Sequence, residues 1–193
     1  MKIIEEPDIR RITDLREIKI KNLHVQYIPN HTPIELWNYD MSIVNSPHVE
    51  LLKIIKEYGF DWFKIFQSRY VKERQLRCKQ GMEKWTNDYI SKRVRRRWDI
   101  YLSLKQGFNE KLYKDQPVRV LKEPFWTTRF GYKKDWLKGF EIWDGAGRAS
   151  AAYVLGWPAI KGYYYEDTKP GSNNKGKFGE KLAKIKGVWE GVL

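Results

Sequence analysis

The sequence predicts an α+β fold, a small mixed sheet with packed helices, interrupted by a helical insertion. Three observations lead there. Short runs at 17–25, 116–121, 139–144 and 158–165 carry the apolar patterning of strands and are bounded by Pro, Gly or Asn. Two runs between them, 46–59 and 149–156, carry helical spacing and helix punctuation. The stretch from 60 to 112 reads as helical and differs in character, because it holds most of the concentrated positive charge.

In chain order, Glu17-Ile-Lys-Ile-Lys-Asn-Leu-His-Val25 alternates apolar and polar residues and is expected to form one half-buried strand. Residues 27–45 read as loop, punctuated by Pro29, Asn30, Pro33 and Asn38. Ser46-Pro47 opens a helix: the serine can cap the orphan first-turn amides, and proline at the first helical position gives up no needed donor. Val49, Leu52 and Ile55, with Leu51, Ile54 and Tyr58, make a broad apolar face, and Gly59 suits a left-handed helix end. Within the charged stretch, Tyr89 or Ile90, Val94, Ile100 or Tyr101 and Leu104 fall near one helical face, flanked by Lys92, Arg93, Arg95, Arg96 and Arg97. A strand begins at Pro117, a second covers 139–144, and a compact helix over Ala149–Leu155 ends at Gly156. Pro158 to Tyr165 is a third strand of this half, 169–177 is a Gly-rich basic loop, and 178–189 spaces Phe178, Leu182, Ile185 and Trp189 on one helical face.

A length of 193 residues favours one domain, and 41% hydrophobic with 15% aromatic residues is enough to build a core. The 37 Lys and Arg against 24 Asp and Glu leave a net charge of +13, which draws polyanions to the surface but says nothing about the fold. Cys78 is the only cysteine, so an internal disulfide and a Cys-rich zinc site are excluded, and a reducing compartment is expected. No apolar run approaches the ~20 residues that span a bilayer, and the first residues carry no apolar signal region. The expectation is a cytoplasmic protein (host cytoplasm if viral) with no membrane partner. His24, His31 and His48 lack metal-ligand spacing.

The strongest local signal is Asp144-Gly145-Ala146-Gly147-Arg148, between a strand and a helix. Gly145 and Gly147 permit a sharp turn and close approach of a ligand. The helix start supplies unpaired amides and the positive end of its dipole, which together favour an anion. Arg148 adds a fork that matches phosphate oxygens, and Ala146, Ala149 and Ser150 complete the expected phosphate-binding set. Asp144 at the strand end can bind a metal or a ribose hydroxyl, or act as a base. Ala149, Ala151 and Ala152 keep the helix slim enough to pack on the sheet. A plain strand-turn-helix junction, with Asp144 as a cap and Arg148 on the surface, is the structural alternative.

The order of elements, with the Asp-Gly-x-x-Arg-like turn and the Ala-rich helix closing in Leu155-Gly156, resembles the ParB/sulfiredoxin-like superfamily and its ParB-like nuclease domain. The resemblance covers roughly half the chain; its specific part is 144–165. It implies that 1–59 and 116–168 form the two parts of one core around an insertion at 60–115, with 169–193 as an appended loop and helix. It also implies binding of ATP or CTP, or another phosphorylated donor, with Mg2+ at the turn. Asp144 and Arg148 would be catalytic, and Gly145, Gly147 and Arg148 would touch phosphate. Relatives often carry His or Arg before the final Arg, where this chain has Gly147. The expected function is an enzyme acting on nucleic acid by phosphoryl transfer or DNA base modification. Alternatives are a ParB-like DNA nuclease and a non-catalytic CTP-dependent DNA-binding adaptor. The size and basicity suit a phage or mobile-element protein.

The insertion is the expected nucleic-acid surface, with DNA favoured over RNA. Arg77, Lys92, Arg93, Arg95, Arg96 and Arg97 would contact phosphates, and Trp85, Tyr89 and Trp98 would stack on bases. Its alternative is a solvated helix face over an aromatic core. Trp126, Thr127, Thr128 and Arg129 can line a pocket beside the turn or form a packed aromatic hairpin, and the 169–177 loop can close over phosphates or remain a surface loop.

Overall fold

The computed structural model describes residues 9–25, 42–79, 86–107, 117–121 and 139–167. They form an α+β structure. The strands are β1 (Ile9–Arg11), β2 (Arg16–Lys19), β3 (Leu23–Val25), β4 (Val118–Leu121), β5 (Phe140–Asp144) and β6 (Ala159–Asp167). The helices are α1 (Pro47–Tyr58), α2 (Trp62–Gln67), α3 (Arg69–Lys79), α4 (Asn87–Lys105) and α5 (Ala146–Val154). The expected elements at 123–130, 169–177 and 178–189 lie outside the described residues.

The sheet is mixed, in the order β1-β6-β4-β5-β3, with β2 also paired to β6. β4 runs parallel to β6, and β3 parallel to β5; the other pairs are antiparallel. The expected single strand at 17–25 is two strands joined by a 3-10 turn at Ile20–Asn22. β2 lies at one margin of the sheet and β3 at the other. In a flat sheet these margins would stand roughly 19 Å apart, at ~4.8 Å per strand spacing. A single 3-10 turn rises only about 6 Å. The sheet therefore curls until its margins meet at this turn. The turn also explains the sequence pattern: Ile18 and Ile20 follow the strand period, the next buried apolar residue is Leu23, and all three are about 1% exposed.

α1 forms where its punctuation places it. The Ser46 hydroxyl accepts from the Val49 amide at 3.3 Å, Pro47 opens the first turn, and Gly59 caps the end at φ 66°. Leu51, Leu52 and Ile55 are buried, whereas Tyr58, assigned to the same face by spacing, is exposed in the last turn.

α5 lies against β4 and β6, with α1 and α4 packed over it. A helix covered on both sides has no room for long side chains, and Ala149, Ser150, Ala151 and Ala152 are all fully buried. One apolar core joins these alanines to the inner sheet face through Ile18, Val118, Val120, Ile142 and Ile160. A second cluster joins α1 to α2, α3 and α4 through Leu51, Ile55, Ile65, Tyr70, Val71, Ile90 and Val94. Trp98 packs against both. The basic helical stretch thus shares its core with the rest of the fold. No helix among the described residues is long and apolar enough to cross a membrane.

Candidate functional site

Phe140–Asp144 delivers the turn at the end of β5. Gly145 sits in the left-handed region at φ 100° and is the residue before the helix. A Cβ there would stand 2.8 Å from both Arg148 Nη2 and Val118 Cγ1, so glycine is required by conformation and by space. α5 begins at once, at Ala146 rather than at Ala149, which places Ala146, Gly147 and Arg148 in its first turn. The amides of Arg148 and Ala149 donate to the Gly145 carbonyl at 2.9 and 3.0 Å. The amides of Ala146 and Gly147 are the ones this pattern leaves outside the helix's own ladder; the residue before the helix, Gly145, has no side chain to cap them, and Gly147 is buried.

Arg148 folds back over the turn. Its Nη2 donates to Asp144 Oδ2 at 3.0 Å, with the arginine side chain 8% and the aspartate side chain 60% exposed. The guanidinium is thereby fixed against the backbone of Gly145, while the carboxylate faces solvent.

A second guanidinium reaches the same turn from the insertion. On α4, Ile90, Val94, Tyr101 and Leu104 are buried, and Arg97 lies on that same stripe between Val94 and Tyr101. It points inward, over the first turn of α5. A Cβ at Gly147 would lie 3.2 Å from Arg97 Cδ and Cζ and closer still to Nη1. Arg97 Nε also donates to the Tyr70 hydroxyl at 3.4 Å; the Tyr70 ring is fully buried and meets His48 edge-on at 5.1 Å. Gly147 is therefore the opening through which α4 touches the turn, and the missing side chain is replaced in space by Arg97.

The other expected residues separate. Ala149 and Ser150 are fully buried behind the turn; Ser150 Oγ lies 3.4 Å from Ser46 Oγ, so it ties α5 to the start of α1. Arg93 donates to the Tyr89 hydroxyl at 3.1 Å and covers that ring. Arg95 covers Phe60 and Trp62 at 5.1 and 5.8 Å. Lys92 pairs with Asp88 at 2.7 Å on the solvent face, and Arg96 is exposed. Trp98 stacks on Tyr101, with centroids 4.6 Å apart and planes 15° from parallel, and meets Phe60 edge-on. Its ring is used by the protein itself. Arg77 lies on α3, and its side chain, like Trp85, Trp126, Thr127, Thr128 and Arg129, falls outside the description.

Two buried polar residues were not singled out by sequence reasoning. His24 on β3 and Glu141 on β5 are register partners on parallel strands, 2% and 0% exposed. The His24 Nδ1 lies 3.3 Å from the Val25 carbonyl, whereas Nε2 has no hydrogen-bond partner among the described residues. Burial lowers the imidazole pKa below its usual 6.5, against a smaller upward pull from the Val25 carbonyl. Both alternate with the inward residues Leu23, Val25 and Ile142 and so lie on the outer sheet face, and no local signal in the sequence says that this part of the face is covered. Among the described residues no group of three or more His, Cys, Asp or Glu could hold a metal ion. Compared with family models, curated proteins and solved structures, the chain matches none of them.

Proposed function

We propose that this chain binds a phosphorylated donor, a nucleoside triphosphate such as ATP or CTP, at the first turn of α5 and acts as a transferase on nucleic acid held against its basic helices. The observation that carries this reading is the approach of Arg97 to Gly147 beside Arg148. A helix N-terminus with its dipole, the Arg148 guanidinium against Gly145 and the Arg97 guanidinium against Gly147 lie within one short turn. Such an arrangement suits an anion with several oxygens better than a single carboxylate. Arg97 also makes the basic insertion part of the nucleotide site.

Asp144 would repel a bare triphosphate. A hard divalent cation between its exposed oxygens and the phosphates removes that conflict, and one carboxylate plus phosphate oxygens is a donor set that Mg2+ accepts. Bound there, Mg2+ would supply charge neutralisation. Arg148 and Arg97 would fix the phosphate chain, and positioning would carry most of the rate.

A thermal-shift series of nucleotides with and without Mg2+ tests this. A ligand at a hundred times its dissociation constant stabilises a fold by about 2.7 kcal/mol, and the shift should vanish in Arg148→Ala. Absence of any shift across the series ends the reading. A binding-only role, with nucleotide occupancy setting nucleic-acid affinity, is favoured by one observation: the exposed carboxylate at the turn is already paired to Arg148. Single-turnover product analysis on DNA separates the two, since a switch yields no modified strand.

A further inference from the structure

The side of the sheet turned away from the helices carries a pattern that the turn does not use. Tyr164 faces inward, edge-on to Phe140 at 5.2 Å, so alternation turns Tyr163 and Tyr165 outward. The register places Arg119 of β4 beside Tyr163, and Arg11 of β1 beside Tyr165. The Arg11 guanidinium lies 4.8 Å over the Tyr163 ring. Lys161 precedes them on the same strand face, and Trp143 alternates onto this side of β5, next to Asp144. Arg11, Arg119 and Lys161 are exposed and the three rings are partly so, whereas Leu121, Glu141 and His24 on the same face are covered, so the open part of this face is its β6 side. Glu17 stands opposite Lys161, which leaves the positive charge concentrated at Arg11 and Arg119.

We propose that this outer sheet face binds single-stranded nucleic acid, with bases on Tyr163 and Tyr165 and the backbone along Arg11 and Arg119. Charge selects a polyanion, and flat rings interleaved with guanidiniums select unpaired bases, whose faces a duplex hides. On α4 the Trp98 ring is already stacked on Tyr101. Arg119 is register partner to Tyr163 on one side and to Asp144 on the other, so a strand laid on this face leads to the turn. The proposal rests on the reading of the chain as a protein that acts on nucleic acid, and it specifies which surface and which strandedness.

The test uses fluorescence anisotropy of the full chain with a short labelled oligothymidylate and with a duplex of equal length. Tyr163→Leu/Tyr165→Leu should weaken oligothymidylate binding by roughly tenfold per lost ring. Tyr163→Phe/Tyr165→Phe keeps both π-faces and should stay within about twofold of wild type. Circular dichroism establishes that each variant is folded. If the leucine pair does not fold, Arg119→Glu reads the same exposed face and should weaken the single strand more than the duplex. Leucine and phenylalanine pairs that bind alike, or an Arg119→Glu protein that keeps the full wild-type preference for the single strand, overturn the proposal and leave duplex binding by α4 standing. Wild-type protein that binds neither probe overturns this inference together with the nucleic-acid part of the proposed function; nucleotide binding at the turn is read separately by thermal shift.

Discussion

The guanidinium of Arg97 lies against the backbone of Gly147, in the space that any other residue's Cβ would fill. The contact brings α4 and the first turn of α5 into one site, and it makes the consequence of substituting either residue specific.

Gly147→Ala should separate stability from binding. Gly147 is helical and is not among the positive-φ glycines, so alanine fits its backbone and improves helix propensity by up to about 1 kcal/mol. The new methyl must push the flexible Arg97 head aside. The melting temperature should hold or rise slightly while nucleotide affinity falls by roughly tenfold, the worth of one charge-assisted contact. Melts with and without nucleotide measure both quantities, and an unchanged nucleotide shift would show that Arg97 takes no part in binding.

Asp144 and Arg148 should respond unequally. Arg148 is nearly buried, so Arg148→Ala leaves a void beside Val118 and Gly145 and should cost about 1–3 kcal/mol as well as phosphate affinity. Asp144 is mostly exposed, and solvent screening limits the stability lost in Asp144→Asn to ~1 kcal/mol or less. With its negative charge gone, Asp144→Asn should bind nucleotide better than wild type without Mg2+ and gain less when Mg2+ is added. Calorimetric titration in the presence and absence of Mg2+ reads this difference. Equal Mg2+ dependence in both proteins would remove Asp144 from the cation's surroundings.

His24 predicts a pH dependence. Its folded pKa lies below the unfolded value of 6.5, because burial disfavours the imidazolium. Between the folded pKa and 6.5 the unfolded chain binds more protons than the folded one, so stability rises with pH across that window. Its contribution is complete above 6.5 and is lost as the pH falls below it. Urea denaturation from neutral to mildly acidic pH should therefore show a falling midpoint, with a shallower slope in His24→Asn. Parallel slopes in the two proteins would exclude His24 as the source.

Trp98 should behave as core. Trp98→Ala removes a ring shared by both apolar clusters and should cost about 3–5 kcal/mol. Affinity for nucleic acid per folded molecule should remain near wild type, because the ring stacks on Tyr101. Anisotropy at a temperature where the variant is fully folded checks this; a selective loss of binding would place Trp98 on the interface.

Much of the fold was legible because its signals are local. Ser46-Pro47 and Gly59 bound α1 through capping chemistry, and spacing put Val94 and Leu104 on the inward stripe of α4, while the choice of Ile90 over Tyr89 and of Tyr101 over Ile100 came from packing. β4, β5 and β6 fall where alternation and proline or glycine punctuation placed them. The turn was also legible, since Gly145 meets a backbone requirement that few other residues can. The start of α5 was read three residues late, because Gly147 and Arg148 look like turn residues until the helix they begin is packed between sheet and helices.

By itself, then, the sequence determined β4, β5 and β6, where α1 is capped, and that a glycine turn follows β5, because each depends on residues within a few positions of one another; β1 (Ile9–Arg11) carried no such local signal. Only the tertiary structure decided the rest. The break of 17–25 into β2 and β3 follows from sheet curling, which is set by margins far apart in pairing order. The burial of His24 and Glu141 follows from cover that alternation cannot reveal. The five basic residues among Lys92 to Arg97 look alike along the chain. Helical rotation sends Arg96 to solvent and Arg97 onto the first turn of α5, because adjacent side chains on a helix point about 100° apart. Periodicity can say which side of α4 faces inward; only the packed neighbour says that Arg97 meets Gly147 there.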